Sequence, residues 1–426
     1  MKMISKEKMP TALTAKTHPI HRWYNFVAGY SPEYVQLTIQ NFEKLNGYKP
    51  IKIYDPFAGC ATTNVVANVE SIPSIGVERN PIFFKLGKAK VNANQVISEI
   101  SHIAQEFLNA IDNQEINIDI PQSLSIDAST FLSKLFEEEA LKQLLVLRDI
   151  VATYKGEIKE ITGFIFLSKV IDMVTHSKTD GVYKAPTSLK NSRPVKEAIL
   201  LALSIFEEDR IFSESTTNVS EYVFDSSVDY KPASNSIDLV IFSPPYLNNF
   251  DFAEMTRMHM YFWGEATSWG EISEKHRNHM IINTTTALKV AKNADKQEEF
   301  RNYLPSSLIA KLDPLIEELN LERKLRPSKK NYHLLIYPYL GQMQQVLKNA
   351  YDSMRKNGRI HIVVSDAAFY GIYIDTQNFL VEIMMEIGYT DIQISRLRTR
   401  GDRWILEKRT KSDKQLGEYE ISGTKG

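Results

Sequence analysis

The tightest constraint on this chain comes from Ser236 to Tyr246, which reads SIDLVIFSPPY. An almost unbroken apolar run stops at a serine, two prolines and a tyrosine. Apolar residues at nearly every position, rather than at alternate ones, mark a strand buried on both faces, as in a parallel sheet covered by helices. Two consecutive prolines donate no backbone hydrogen bonds, so they end the strand and stiffen the turn after it. The corner therefore falls at the carboxyl end of a buried parallel strand, where open α/β sheets bind their ligands.

Other short apolar runs fit the same sheet. They are Ile51 to Tyr54, Ser74 to Val77, Tyr222 to Phe224, Ile237 to Phe242 and Arg359 to Val364, with weaker ones at Ile392 to Leu397 and Trp404 to Leu406. Helical patterns lie between them, including Gln342 to Lys356, for which Asn357-Gly358 reads as a helix stop. Strand and helix in alternation predict a doubly wound, Rossmann-like α/β fold. Two stretches exceed ordinary connections. Residues 92–215 read as a helical insertion holding a polar loop from His176 to Val195, and a second insertion spans about 252–335, opening with an apolar-faced helix from Phe252 to Trp263. The chain thus divides into residues 1–91, carrying an N-terminal segment and the first half of the sheet, the insertion 92–215, and residues 216–426 with the second half.

Composition excludes more than it assigns. The single cysteine, Cys60, leaves no internal disulfide framework and no cysteine-rich zinc site. No apolar run approaches the roughly 18–20 residues of a membrane span, and the polar N-terminus lacks the apolar core of a signal peptide, so a cytoplasmic location without a membrane partner is expected. With 51 basic and 52 acidic residues the net charge is −1, so any nucleic-acid partner must be met by local basic patches.

The first strand runs into Asp55-Pro56-Phe57-Ala58-Gly59-Cys60-Ala61-Thr62-Thr63. A strand, a small-residue loop and a helix let a ligand approach the backbone at the helix N-terminus. The loop is neither the GxGxxG of a dinucleotide fold nor a GxxxxGK phosphate loop. The second strand ends at Glu78, about 20 positions on, where an acidic residue is placed to hold ribose hydroxyls. The third ends at Asp225, a carboxylate at the same edge and a candidate acceptor for an adenine amino group. A loop or a carboxylate alone is as readily a turn or a helix cap. At three successive strand ends they favour a cofactor bearing adenosine.

At the corner, the Ser243 hydroxyl and the Pro244 carbonyl are acceptors on a rigid backbone, matched to the two N–H groups of a planar exocyclic amine. Pro245 fixes the turn, and Tyr246 offers a face on which a base can stack, a contact worth roughly 1–3 kcal/mol. An amine held by both protons can turn its lone pair toward a sulfonium methyl group, a transfer that needs little beyond positioning and electrostatic support.

DPFAGCATT, GVE and SIDLVIFSPPY together resemble the AdoMet-dependent DNA amino-methyltransferases, the N4-cytosine and N6-adenine methylases, whose motifs are DPF-x-GSGTT and [DNS]PP[YFW]. The resemblance covers the strands and loops of the sheet, about half the chain. His18 to Tyr34 occupies the place of the family's N-terminal cofactor segment. The resemblance implies S-adenosyl-L-methionine (AdoMet) as cofactor, held by Asp55, Pro56, Phe57, Ala58, Gly59, Thr62, Glu78 and Asp225. It implies Ser243, Pro244, Pro245 and Tyr246 as the catalytic corner. The serine form is commonest among N4-cytosine enzymes. The chain departs from the pattern at Ala61, where the family has a second loop glycine; a negative φ would accommodate the alanine.

The partner so implied is double-stranded DNA, with a target base flipped from the duplex, and a cognate restriction endonuclease or defence-system subunit is a further expectation. Insertion 92–215 is the candidate target-recognition region. Three basic groups are candidates for phosphate contact: Lys178, Lys184, Lys190 and Arg193 around Tyr183; Arg323, Lys324, Arg326, Lys329 and Lys330; and Arg396, Arg398, Arg400 and Arg403. For any one of them a solvated charged face is the more ordinary reading. Asn248 to Phe252 suits either a wall for a flipped base or a helix entry capped by Asp251. Adenine-N6 methylation, RNA amino-methylation and a non-catalytic AdoMet- or DNA-binding subunit remain open alternatives. C5-cytosine methylation is excluded, because the only cysteine lies in the cofactor loop.

Overall fold

The computed structural model describes residues 14–26, 28–113, 119–180, 183–289, 291–326, 330–399 and 415–426. The strands in chain order are β1 (Ile53–Asp55), β2 (Ser74–Glu78), β3 (Ser177–Asp180), β4 (Tyr183–Leu189), β5 (Ser220–Phe224), β6 (Ile237–Phe242), β7 (Met354–Ser365), β8 (Ala367–Phe369), β9 (Ile372–Ile374), β10 (Tyr389–Thr399) and β11 (Gly417–Lys425). Seven form one sheet in the order β10-β11-β7-β6-β1-β2-β5, while β3–β4 and β8–β9 are small hairpins. β5, β2, β1, β6 and β7 run parallel, and β11 is antiparallel to both of its neighbours. From β1 the chain moves outward through β2 to β5, then crosses to β6 on β1's other side. This reversal between β1 and β6 is the topological switch point, and it puts the Asp55 loop and the SPPY corner side by side.

All six residues of β6 are buried, and from Leu239 to Phe242 alternate ones serve opposite layers. Leu239 and Ile241 pack with Tyr34, Val35 and Phe42 of the helix Pro32–Asn46, while Val240 and Phe242 pack with Leu340, Met343 and Leu347 of the helix Ile336–Ser353. The one charge in the run, Asp238, accepts from the backbone N–H groups of Ile51 and Lys52, both at 3.0 Å, and pairs with Arg355 at 2.9 Å. That satisfies a carboxylate that a buried strand would otherwise exclude.

Insertion 92–215 builds a helical layer whose helices Ala93–Asn113, Glu138–Thr153, Glu157–Val174 and Val195–Glu208 share one apolar core with Ile20, Trp23, Cys60, Ala61 and Phe83. The loop expected from His176 to Val195 contains the β3–β4 hairpin. The second insertion divides between two cores. Its first part, Ala253 to Ile272, packs on the helical layer, and Ile281 to Leu319 packs on the opposite face of the sheet.

Two local expectations change. The helix read as Gln342 to Lys356 is Ile336–Ser353, and Asn357 lies within β7 at φ +64. There the register with β6 slips between Ile237↔Met354 and Leu239↔Arg359, so Asn357-Gly358 forms a bulge rather than a helix stop. The weak strand at 404–406 lies outside the described residues. Among the described residues no helix is long and apolar enough to cross a membrane.

Candidate active site

A cavity of about 400 Å³ opens at the carboxyl ends of β1, β2 and β6. One wall comes from the loop after β1 (Phe57, Ala58, Gly59 and Thr62) with Glu78 and Arg79. A second comes from the N-terminal segment (Phe26, Ala28, Gly29 and Tyr30). The lining is completed by Ser243, Pro244, Pro245 and Tyr246 with Val363, Arg398 and Glu418, and by Asn249–Phe252 with several residues between Arg277 and Ala287.

The loop is fixed from several sides. Gly59 donates its N–H to Glu78 Oε2 at 2.9 Å, and its carbonyl accepts the Tyr222 hydroxyl at 2.6 Å. Gly59 has φ +56, and a Cβ there would meet the Phe26 ring at 2.8 Å, so both conformation and space demand glycine. Ala61 stands at φ +66, fully buried at the N-terminus of the helix Thr62–Val69. The negative φ that would have made alanine comfortable is therefore not adopted. The left-handed region costs alanine roughly 1–2 kcal/mol. Its buried methyl returns about 0.8 kcal/mol, so glycine would gain little. Cys60 is buried, and desolvation pushes its thiol up to about 12, a protonated bystander rather than a nucleophile.

Asp55 lies behind the cavity wall. Its carboxylate accepts from the Tyr30 hydroxyl and Thr63 Oγ1, each at 2.7 Å, and from Phe57 N–H at 3.0 Å. Desolvation raises it to about 6 against the opposing pull of those donors. Asp55 thus clasps the N-terminal segment to the loop. Pro56, also off the wall, accepts the Ser227 hydroxyl on its carbonyl. Glu78 does line the cavity, and it also accepts from Asn80 N–H at 2.6 Å. Desolvation brings its pKa up to about 7. Asp225 does not reach the wall. It accepts from its own neighbour Ser226 N–H at 2.7 Å, and Ser226, Ser227 and Val228 line the cavity in its place.

At the corner, Ser243 Oγ donates to the Val363 carbonyl of β7 at 2.9 Å. A hydroxyl has one proton, so with that proton committed the oxygen meets the cavity as an acceptor. Tyr246 donates its hydroxyl to Glu418 Oε1 at 2.7 Å, and Glu418, 3% exposed, is held by Arg398 Nε at 2.7 Å. The corner is thus braced by β7 and β11, and β11 escaped the sequence reading because GEYEISGTK has no apolar run and only a short alternation, Tyr419 and Ile421 between polar residues, that gives way to Gly423.

Of the two roles considered for the segment Asn248 to Phe252, the helix cap is the one observed. Asp251 caps the helix Phe252–Met255, accepting from the N–H groups of Ala253 and Glu254 at 3.1 Å, while Asn249 to Phe252 also line the cavity. Asp251 holds Arg277 Nε at 3.0 Å; Arg277 is 3% exposed and stacks on Trp269 at 4.5 Å. Asn283 ties this stretch to the corner through the Tyr246 and Phe250 carbonyls at 3.2 and 2.9 Å. No motif announced Arg277 or Asn283, which belong to the site only through the folding of the second insertion.

The basic groups fare unevenly. Arg398 is engaged with Glu418, Arg326 with Glu322 at 3.3 Å, and Lys190 donates to the Asp172 carbonyl at 2.9 Å, while Arg193 is exposed. Lys329, Arg400 and Arg403 lie outside the described residues, as do the side chains of Lys178, Tyr183 and Lys184.

No family model matches the chain. The Type II methyltransferase M.BsoBI of Geobacillus stearothermophilus is 23% identical over 95% of this chain and 84% of its own length. The Type II methyltransferases M.AvaI of Nostoc sp. and of Anabaena variabilis are each 22% identical over 90% of this chain and 82% of their own. The solved rRNA methyltransferase aviRa from Streptomyces viridochromogenes covers 96% of this chain at 8% identity with a TM-score of 0.28, too slight a likeness to build on. Over nearly its whole length, inserts included, the chain is similar to Type II methyltransferases.

Proposed function

We propose that the chain is an AdoMet-dependent DNA methyltransferase acting on an exocyclic amine, with cytosine N4 favoured. One observation carries the reading: a serine hydroxyl whose proton is committed to Val363 stands in the same cavity as a carboxylate and a glycine loop suited to a nucleoside.

The residues fit AdoMet. Glu78 offers acceptors for ribose hydroxyls, Ser226 to Val228 border the adenine position, and Phe26 against Gly29 and Gly59 closes the methionine side, where a Cβ at Gly29 would meet the Phe26 ring at 3.0 Å. The bound cofactor supplies an electrophilic sulfonium methyl. The remaining work falls to the chain. Ser243 Oγ and the Pro244 carbonyl would accept hydrogen bonds from the two amine N–H groups and leave the nitrogen lone pair facing the methyl; as the N–C bond forms the S–C bond would break, its electron pair staying on the sulfur, and one amine proton would pass to solvent. Tyr246 stacks the base, and Asn249 to Phe252 line the cavity beside it. The helical layer of 92–215 is assigned to target recognition. The similarity to Type II methyltransferases favours a cognate restriction endonuclease as partner in the cell.

The test is mass spectrometry of nucleosides from the DNA and RNA of cells expressing the wild type or Ser243→Ala. N4-methylcytosine in DNA from the wild type alone is expected. N6-methyladenine instead would move the target to adenine. A mark confined to RNA, or none, would overturn the proposal.

Glu78 gives a pH dependence. Only the carboxylate accepts from both ribose hydroxyls, and in the free protein that form is half lost near pH 7. Calorimetry should show AdoMet affinity flat above about pH 7.5 and weakening below it, by up to about tenfold per unit. Glu78→Gln should bind weakly with that slope abolished; a slope that persists would assign it elsewhere.

A further inference from the structure

The antiparallel strand β11 carries a buried acid into the cavity wall that the reading above leaves without a task. Glu418 lines the cavity beside Ser243 and Tyr246, with its side chain 4% exposed. Its Oε1 accepts the Tyr246 hydroxyl at 2.7 Å and an Arg398 Nη2 proton at 3.2 Å, and its Oε2 accepts Arg398 Nε at 2.7 Å. A carboxylate this deeply buried is tolerated when paired and hydrogen-bonded, as it is here.

Resting on the reading of Tyr246 as the stacking face, we infer that Glu418 is a positioning residue that sets the Tyr246 ring against the target base. The geometry gives the reason. The two prolines before Tyr246 fix its backbone, but a tyrosine ring still chooses among side-chain rotamers and swings about Cα–Cβ. The bond to Glu418 ties down the far end of the ring, and Arg398 holds Glu418 by two parallel contacts. Ser243 Oγ lies 3.4 Å from the Tyr246 hydroxyl, so a ring held in this rotamer also sets the lateral distance between the stacked base and its acceptor. Serine and tyrosine then act as one pre-set surface, and methyl transfer is sensitive to displacements of about an ångström.

The experiment measures transfer of labelled methyl from AdoMet to genomic DNA from a host lacking the enzyme, for the wild type, Glu418→Ala, Glu418→Gln, Tyr246→Phe and the double variant Glu418→Ala/Tyr246→Phe. Calorimetry gives AdoMet affinity for each. Glu418→Ala should lower kcat about 10- to 100-fold, with AdoMet affinity and the KM for DNA each within about threefold. Glu418→Gln keeps an acceptor for the hydroxyl and should recover most of the loss. In the Tyr246→Phe background, which lacks the hydroxyl, Glu418→Ala should cost less than about threefold, because the bond through which it acts is already gone. An equal cost in both backgrounds would overturn the positioning role, as would a matching fall in AdoMet affinity. If Glu418→Ala fails to fold, the glutamine and phenylalanine variants decide: the role requires near-normal kcat in the first and the loss in the second. A wild type that transfers no methyl to DNA overturns the functional reading itself, and the role falls with it.

Discussion

Ser243→Ala should lower methyl transfer at least about 100-fold while leaving AdoMet affinity within severalfold. The separation arises from where the hydroxyl is spent. Its proton goes to the Val363 carbonyl, not to the cofactor loop, whose own bonds run among Asp55, Gly59, Glu78 and Tyr222. Removing Oγ leaves that carbonyl without its side-chain donor, a cost of order 1 kcal/mol against a fold that buries every residue of β6. The variant should therefore fold and bind. On the proposed reading it lacks one of the two fixed acceptors that would orient the amine, and loss of a single preorganised polar contact of this kind typically costs about 10²–10³ in kcat. Single-turnover transfer with labelled AdoMet, beside calorimetry on the same preparation, reads both quantities. Activity within tenfold of the wild type would show that the Pro244 carbonyl and the stacking ring suffice.

Much of the sheet was legible because buried parallel strands must be apolar on both faces. β6 was read with its observed bounds, and β1, β2 and β5 to within a few residues, since each apolar run stops at a small or acidic residue. What escaped was held by tertiary contacts that leave no local pattern. β11 mixes glycine, glutamate and serine, yet it sits inside the sheet between β7 and β10, and it carries Glu418. Asn357-Gly358 looked like a helix stop because asparagine tolerates the left-handed region; that conformation is present, but in a bulge. Asp55 was expected at the cofactor through the family resemblance, and Asp225 also from its place at a strand end. A strand end fixes only where the Cα lies, and the partners of the carboxylate decide its task. Asp55 faces Tyr30 and Thr63, and Asp225 faces Ser226.

Asp209 shows the same limit most sharply and supports the second large expectation. Nothing in the stretch FEEDRIF singles it out, yet this residue, 1% exposed, gathers the N-terminal segment onto the helical layer. Its Oδ2 accepts from Ile20 N–H and Trp23 Nε1, both at 2.9 Å, and its Oδ1 accepts from Arg22 Nε at 3.0 Å. Trp23 then stacks on Phe206 at 4.5 Å, and the chain continues into Phe26, Gly29 and Tyr30 on the cavity wall. Asp209→Ala leaves two buried donors unsatisfied and a partly buried guanidinium with, among the described residues, only Glu208 for an acidic partner. The expected loss is about 3–5 kcal/mol of stability, read by denaturant unfolding. Lys90 and Lys169 also grip the segment, through the His21 carbonyl at 3.0 Å and the Arg22 carbonyl at 2.8 Å. Those two tethers, with the Tyr30 clasp on Asp55, act on the backbone and the far end of the segment, and none of them replaces the bonds to Ile20 N–H and the Trp23 indole. AdoMet affinity should therefore fall at least tenfold even where helical circular dichroism is kept. Asp209→Asn, which can still accept from one of these donors, should fall between. Unchanged cofactor affinity in a destabilised Asp209→Ala would mean that the remaining tethers hold the wall by themselves, and that the helical layer contributes to stability without shaping the cofactor site.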